Sequence, residues 1–595
     1  MCGIAGVWWK NNDNRDTKSI HRMTDAIAHR GPDAEGHWYN ENGLDLGHRR
    51  LAILDLDPRS NQPFLWLNRY ALTFNGEIYN YLELQAELKT KGYFFQTQSD
   101  TEVICAAYNE WGTDCLKRFD GMFAFALYDS RTETLFCARD RFGEKPFYFM
   151  EDEQGFYFAS EMKAFWAIGK PKQARPEMVY HYLQNDLVED VKDSSGTFYK
   201  DIFKVPASHF FVLKRGQKVQ FQRYYEVNIS TTFTGSFQQA VAEFQRLFDQ
   251  SVERRMRADV AFGSSLSGGM DSSAVTAVMN AHQHPTSTFS ARFPSYEKDE
   301  GVFIDEVSSH FQTKQYNCFP DEEQLKSAIE KLVYHQEEPF QSGSIFAQYQ
   351  VYALARQQNH LVLLDGQGAD ELLGGYFNYM LPYYYELSAS KRKAFKEQMQ
   401  TQQGVKWETS FSQALQFRFP KLFAKAFQLK QKLGKSNPST LGSDLQKWNN
   451  ESVPFYTSDR LKESLKHSLT SQGLEKLLRF SDRNAMAHSV EVRLPFLSHE
   501  LVDFVMSLPS AYFFEAGWTK SILRHAMKEV IPTGITWRKD KVGFEAPHHQ
   551  WTRSPLLEAD MREARKQLTD RNWITENYTS DWKVLILAKA LEDER

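Results

Sequence analysis

Met1-Cys2-Gly3 puts a thiol directly behind the initiator, and Cys2 is small enough for the methionine to be removed. The mature chain then begins with a cysteine that carries both a nucleophile and a free α-amino group. That amine has an unperturbed pKa of ~7.7–8.0, close enough to neutral to serve as the thiol's own general base. Gly3 and Gly6 let the backbone approach a substrate closely. Attack on an acyl carbon builds an oxyanion, and Asn75-Gly76 offers an amide and an N–H to hold it. Asn-Gly is also the signature of a hairpin turn, so both readings stand at this point. Glu77 and Asp100 can hold an ammonium group, and Arg50 has the planar fork that clamps a carboxylate.

A second chemistry lies far along the chain in Ser265-Leu266-Ser267-Gly268-Gly269-Met270-Asp271-Ser272-Ser273. A short apolar run precedes it and Ala274-Val275-Thr276-Ala277-Val278-Met279 follows. Strand, glycine turn, then helix N-terminus makes an anion cradle, with Asp271 placed for Mg²⁺. No Gly-Lys-Ser/Thr follows, so this is not the Walker pattern. A second strand end, Val362-Leu363-Leu364-Asp365, runs into Gly366-Gln367-Gly368-Ala369-Asp370-Glu371, where open α/β sheets bind ligands.

The elements that must position these groups divide the chain in two. β-prone runs dominate the first part, from Gly3–Trp9 through Gly121–Asp129 and Leu135–Asp140. A polar Ser, Thr and Gly stretch from Asn228 to Ser236 reads as a linker. Beyond it come the helical pattern of Ala240, Phe244, Leu247 and Val252 and the strand–loop–helix units described above.

Cys2-Gly3-Ile4, His29-Arg30-Gly31-Pro32-Asp33, His48-Arg49-Arg50-Leu51, Asn75-Gly76-Glu77-Ile78-Tyr79-Asn80 and Ser99-Asp100 resemble the glutaminase domain of N-terminal-nucleophile amidotransferases. The match is to the class II type found in glutamine-dependent asparagine synthetases. The resemblance implies that Cys2 attacks the glutamine side-chain amide while Asn75 and Gly76 hold the oxyanion. It also implies that Arg50 binds the α-carboxylate of glutamine, and that Glu77 and Asp100 bind its α-ammonium. The SGGxDSS stretch resembles the PP-loop of ATP pyrophosphatases, which cleave ATP between the α and β phosphates. By that resemblance Leu266, Ser267, Gly268, Gly269, Asp271, Ser272, Phe289 and Gly366 contact ATP, Leu266 and Phe289 through their backbones, and Asp271 and Asp370 hold Mg²⁺. Val490-Glu491-Val492-Arg493-Leu494-Pro495-Phe496-Leu497 matches the synthetase domain, with Glu491 expected to be catalytic. Lys541 is expected to stabilise charge as pyrophosphate leaves. Gln367 departs from the pattern, because many asparagine synthetases carry a glutamate there; Ser498 and Ala207 are further departures.

The implied fold is an α+β αββα sandwich of the N-terminal-nucleophile type over residues 2–210. A linker (211–236) and an α/β PP-loop synthetase domain with a parallel sheet and extra helices (237–595) complete it. The implied reaction adenylates a carboxylate, the side chain of aspartate, with ATP, and displaces AMP with ammonia made at Cys2. The alternative keeps both half-reactions but takes another carboxylate, such as a sugar acid, a peptide or an antibiotic precursor, and Gln367 favours it. A silent regulatory protein on this fold is disfavoured, because Cys2, Asn75, Asp100, Asp271, Asp370 and Lys541 are all present.

Composition agrees with small-molecule substrates. A net charge of −5 gives no reason to expect nucleic acid. Five cysteines without metal-ligand spacing argue against a disulfide framework. No run approaches the ~18 apolar residues of a membrane span, so no membrane is expected and a cytoplasmic protein is. A homodimer is compatible with this reading.

Overall fold

The computed structural model describes residues 2–404, 440–448, 460–539 and 545–592, with residues 422–423, 425–426, 429, 458 and 543 between them. The first part contains β1 (Gly3–Trp9), β2 (Ala34–Tyr39), β3 (Leu44–Arg50), β4 (Phe64–Trp66), β5 (Tyr70–Ile78) and β6 (Gly121–Asp129). It continues with β7 (Thr134–Arg139), β8 (Tyr148–Glu151), β9 (Gly155–Ala159), β10 (Phe203–Lys204), β11 (His209–Leu213) and β12 (Gln222–Arg223). These form two six-stranded sheets, ordered β10-β8-β9-β1-β3-β2 and β12-β11-β7-β6-β5-β4.

Strand β6 shows why the sheets stack. Successive side chains point to opposite faces, so its sequence sorts into two cores. Phe123, Phe125 and Leu127 face outward with Val103, Ile104 and Ala107 of helix Asp100–Trp111. Ala124, Ala126 and Tyr128 face inward, with Trp8, Phe156 and Phe158 of the other sheet. Helix Lys18–Ala26 covers the outer face of β1 and β3. The result is the expected αββα order of layers. Each fully buried Phe contributes roughly 1.5–3 kcal/mol of hydrophobic stabilisation, which accounts for the aromatic richness of this half.

Three expectations change here. Asn75-Gly76 is not a turn; it lies inside β5, with Asn75 opposite Ala124 and Gly76 opposite Phe123. Gly6 serves close contact within the sandwich, since a Cβ there would lie 2.1 Å from the Phe158 ring, and one on Gly3 would meet Ile27 at 3.0 Å. Strands β11 and β12 fall partly or wholly in the expected linker, yet β11 pairs with β7 and β12 with β11. The sandwich therefore runs past residue 210 to Arg223.

Helix Phe237–Arg255 opens the second part on a capping box, in which Ser236 and Gln239 each satisfy the other's backbone N–H. A parallel sheet follows from β13 (Phe262–Ser265), β14 (Ser287–Ala291), β15 (Lys314–Cys318), β16 (Val362–Leu364) and β17 (Glu491–Arg493). Its order is β15-β14-β13-β16-β17. The chain winds outward from β13 in one direction and then from β16 in the other. The crevice between these two strand ends is where such sheets take ligands.

Candidate active sites

Cys2 stands at the mouth of β1, buried, with its backbone nitrogen 3.0 Å from Asn75 Oδ1. Asn75 Nδ2 is buried and has no hydrogen-bond partner. An uncommitted amide donor beside a thiol is what a developing oxyanion requires. Gly76 follows at φ +152°, and a Cβ there would sit 2.1 Å from the Met122 carbonyl oxygen, so the strand admits only glycine. Burial pushes the Cys2 thiol up, with Arg50 acting in the opposite direction. The thiol is therefore protonated at neutral pH and needs a base.

Arg50, Glu77 and Asp100 line the same pocket as Cys2 and Gly76. Arg50 donates through Nη1 to Asp57 O (3.0 Å) and Asn61 Oδ1 (2.7 Å), so the loop after β3 fixes its plane. Asp100 begins helix Asp100–Trp111 and accepts from Ile78 N at 2.8 Å. Burial, reinforced by Glu491, pushes Asp100 to about 6. Burial with Glu491 and Asp100 nearby pushes Glu77 well above the usual carboxylate range. Such acids favour an incoming ammonium, because it replaces solvation they have lost.

The resemblance gives Glu491 a catalytic role in the synthetase domain. It lies on β17 at the boundary with the sandwich, bonded to Arg493 Nε at 2.6 Å, and does not line the nucleotide cavity. Burial works against its charge, yet surrounding positive charge that includes Arg493 holds it below the ordinary value. The edge strand carrying Glu491 turns its side chain toward the first part, which strand alternation alone does not reveal.

A cavity of about 530 Å³ opens at the ends of β13 and β16. Leu266, Ser267, Gly269, Asp271, Ser272, Phe289, Gly366 and Asp370 line it, whereas Gly268 turns behind against Phe303. The Leu266 N–H donates to Phe289 O at 2.9 Å, so these two backbone groups are engaged with each other. Asp271 is in the first turn of helix Met270–His282, as the glycine-turn reading expects. Lys541 lies outside the described residues.

Lys520 is the residue that sequence reasoning missed. Its ammonium lies 2.5 and 2.6 Å from the Asp271 oxygens and 2.5 Å from Asp370 Oδ1. Burial opposes its charge, but Asp271 and Asp370 outweigh that and hold its pKa above the ordinary lysine value. Lys520 sits at φ +53°, a strained conformation for a non-glycine residue. Gly375 leaves room for this cluster, since a Cβ there would lie 1.8 Å from Asp370 Oδ1. Asp271 and Asp370 thus converge on one cation, a donor set that fits Mg²⁺. In the sequence it is one lysine in Thr519-Lys520-Ser521, with no pattern that pairs it to either aspartate. Gln367 also lines the cavity, and its Oε1 is buried without a partner.

The two sites are joined by charge. Arg30 Nε donates to Cys2 O at 3.0 Å, and its two Nη atoms grip Asp482 at 2.9 and 3.1 Å. Asp482 sits on helix Leu474–Met486, whose Phe480 lines the nucleotide cavity. Arg483 on the same helix bonds Glu337 at 2.7 Å and Ser160 O at 3.1 Å.

Two family models match: a glutamine amidotransferase domain over residues 1–225 and asparagine synthase over residues 243–582. A glutamine-hydrolysing asparagine synthetase of Bacillus subtilis is 30% identical over 574 residues, covering 94% of this chain and 89% of that protein. A second one from B. subtilis is 29% identical over 573 residues, covering 92% and 88%. An amidase of Gibberella zeae is 27% identical over 632 residues, covering 93% and 90%.

Proposed function

Because the chain belongs to the asparagine synthase family, with a glutamine amidotransferase domain ahead of the synthase domain, we propose that it works as a glutamine-hydrolysing asparagine synthetase. It is an ATP-dependent carbon–nitrogen ligase with glutamine as nitrogen donor. The observation that carries the assignment to residues is the buried, unpartnered Asn75 amide beside Cys2, in one pocket with Arg50, Glu77 and Asp100.

Glutamine enters with its carboxylate on Arg50 and its ammonium between Glu77 and Asp100. The Cys2 amine, freed when Met1 is removed, takes the thiol proton, and sulfur attacks the side-chain carbonyl carbon. Asn75 Nδ2 and the Gly76 N–H hold the oxyanion. The proton passes to the leaving nitrogen, ammonia departs, and water hydrolyses the thioester to glutamate. At the second site an oxygen of the aspartate carboxylate attacks the α-phosphorus of ATP, forming the acyl adenylate and releasing pyrophosphate. Ammonia then attacks the acyl carbon, AMP leaves with the C–O bond electrons, and a proton is lost to give asparagine. Passage inside the chain keeps ammonia unprotonated and nucleophilic.

We place Mg²⁺ on Asp271 and Asp370, where it would neutralise phosphate charge. Lys520 would offer its ammonium, and the glycine turn its backbone N–H groups, to the phosphate chain.

A second reading rests on Gln367, whose Oε1 points unpaired into the cavity wall. An amide oxygen accepts a hydrogen bond but cannot act as a base at neutral pH, so an acceptor carboxylate other than aspartate fits it as well.

Cys2→Ala tests the division of labour. Glutamine-dependent AMP formation is expected to disappear while ammonia-dependent AMP formation stays near the wild-type rate. Equal loss with both donors would refute separate sites. An acceptor screen read by product mass separates aspartate from other carboxylates.

A further inference from the structure

We propose that Arg493, supplied by the second domain, is a positioning residue of the glutamine site: it holds the Glu77 carboxylate in place for the substrate ammonium and ties that hold to the edge of the nucleotide cavity. The inference rests on the reading of the Cys2 pocket given above.

Arg493 is fully buried on β17. Its guanidinium has five N–H groups. Nε donates to Glu491 at 2.6 Å, and Nη1 donates to the Arg255 and Arg257 carbonyls at 2.8 and 2.7 Å. Nη2 is buried, makes no hydrogen bond, and lies 3.5 Å from Glu77 Oε1. A charged donor left uncommitted inside a protein, facing a carboxylate that lines a substrate pocket, marks an interaction that tightens when ligand arrives.

Electrostatics at this point require such a group. Glu491 raises both Glu77 and Asp100, Asp100 raises Glu77 further, and Arg493 acts in the opposite direction on all three carboxylates. A carboxylate protonated by its neighbours cannot hold an ammonium. Arg493 works against the burial and the neighbouring carboxylates that raise Glu77 and, with Nε and Nη1 already fixed, orients it.

The other end of Arg493 reaches the second site. In the parallel register Leu364 pairs with Arg493, and the Asp365 N–H donates to the Arg493 carbonyl at 3.0 Å. Asp365 and Gly366 form part of the cavity wall. Movement of that wall on nucleotide binding is passed to Glu77 through a single residue.

Arg493→Lys keeps the charge and loses the fork. Its glutamine KM is expected to rise roughly tenfold or more, with the kcat of glutamine hydrolysis changed less than about threefold. Ammonia-dependent AMP formation is expected to stay within about twofold of wild type, which verifies the fold. Saturating ATP and acceptor are expected to shift the glutamine KM of the wild type and not of the variant. An unchanged KM in a variant with normal ammonia-dependent activity would overturn the proposal, as would a parallel fall of KM-independent rates at both sites. If the lysine variant does not fold, Arg493→Gln keeps a hydrogen-bond donor for Glu491 without the charge and is measured in the same way. A third readout leaves Arg493 intact: glutamine binding to Cys2→Ala protein is expected to slow hydrogen exchange at the Asp365 amide, and unchanged exchange would overturn the link. A wild-type chain that hydrolyses no glutamine would instead overturn the reading of the pocket itself.

Discussion

An amide nitrogen with nothing to bond and a carboxyl that titrates near 6 define the first site at the scale of single residues. Asn75 Nδ2 is held for a charge that exists only during reaction. Asp100 sets the pH range. Burial lifts its pKa to about 6, so above that value it is ionised and able to bind an ammonium. Below it a proton competes with substrate at Asp100, and the glutamine KM is expected to rise as pH falls through 6, by about tenfold per pH unit at the limit. Initial rates across pH 5–8 check this, and a KM that does not change below pH 6 would contradict it. The stability sign runs the other way. Between the unfolded value near 4 and the folded value near 6, the folded chain binds more protons. Asp100's contribution is therefore greatest below pH ~4 and is lost as pH rises through 6.

Strand β5 shows what an element contributes that its residues do not. Asn75 and Gly76 hold their positions because β6 pairs along the whole strand. Gly76→Ala would drive a methyl into the Met122 carbonyl oxygen, which is backbone and cannot rotate away. The cost is expected to be about 3 kcal/mol, seen as a lowered unfolding temperature together with loss of glutaminase activity. A variant with an unchanged unfolding temperature would show that β5 and β6 separate easily there. Helix Leu474–Met486 has a comparable role between the sites, since it offers Asp482 to Arg30 and Phe480 to the nucleotide cavity.

Across the whole molecule, the two half-reactions share a buried seam of charge. Arg30 bonds the carbonyl of the nucleophile itself and, on its other side, a helix of the second domain. Asp482→Leu leaves Arg30 short of a partner at a cost on the order of 3 kcal/mol. Both half-reactions are expected to survive it, with glutamate formed per AMP rising above the wild-type ratio. Parallel assays of the two products decide this, and an unchanged ratio would assign Asp482 to stability alone.

The chain's order of residues determined both chemistries, because each depends on a short local pattern: a cysteine behind the initiator, and a glycine turn between a strand and a helix. It also determined the sandwich followed by a parallel sheet, through the resemblance its motifs carry. Tertiary structure decided the rest. Asn-Gly permits turn and strand alike, and only pairing with β6 chose the strand. Glu491 faces the glutamine site and Lys520 spans Asp271 and Asp370 because residues far apart in the chain are brought together. No periodicity or spacing encodes such contacts, since they arise when distant segments bury their charged groups together, across the two parts for Glu491 and within the second part for Lys520.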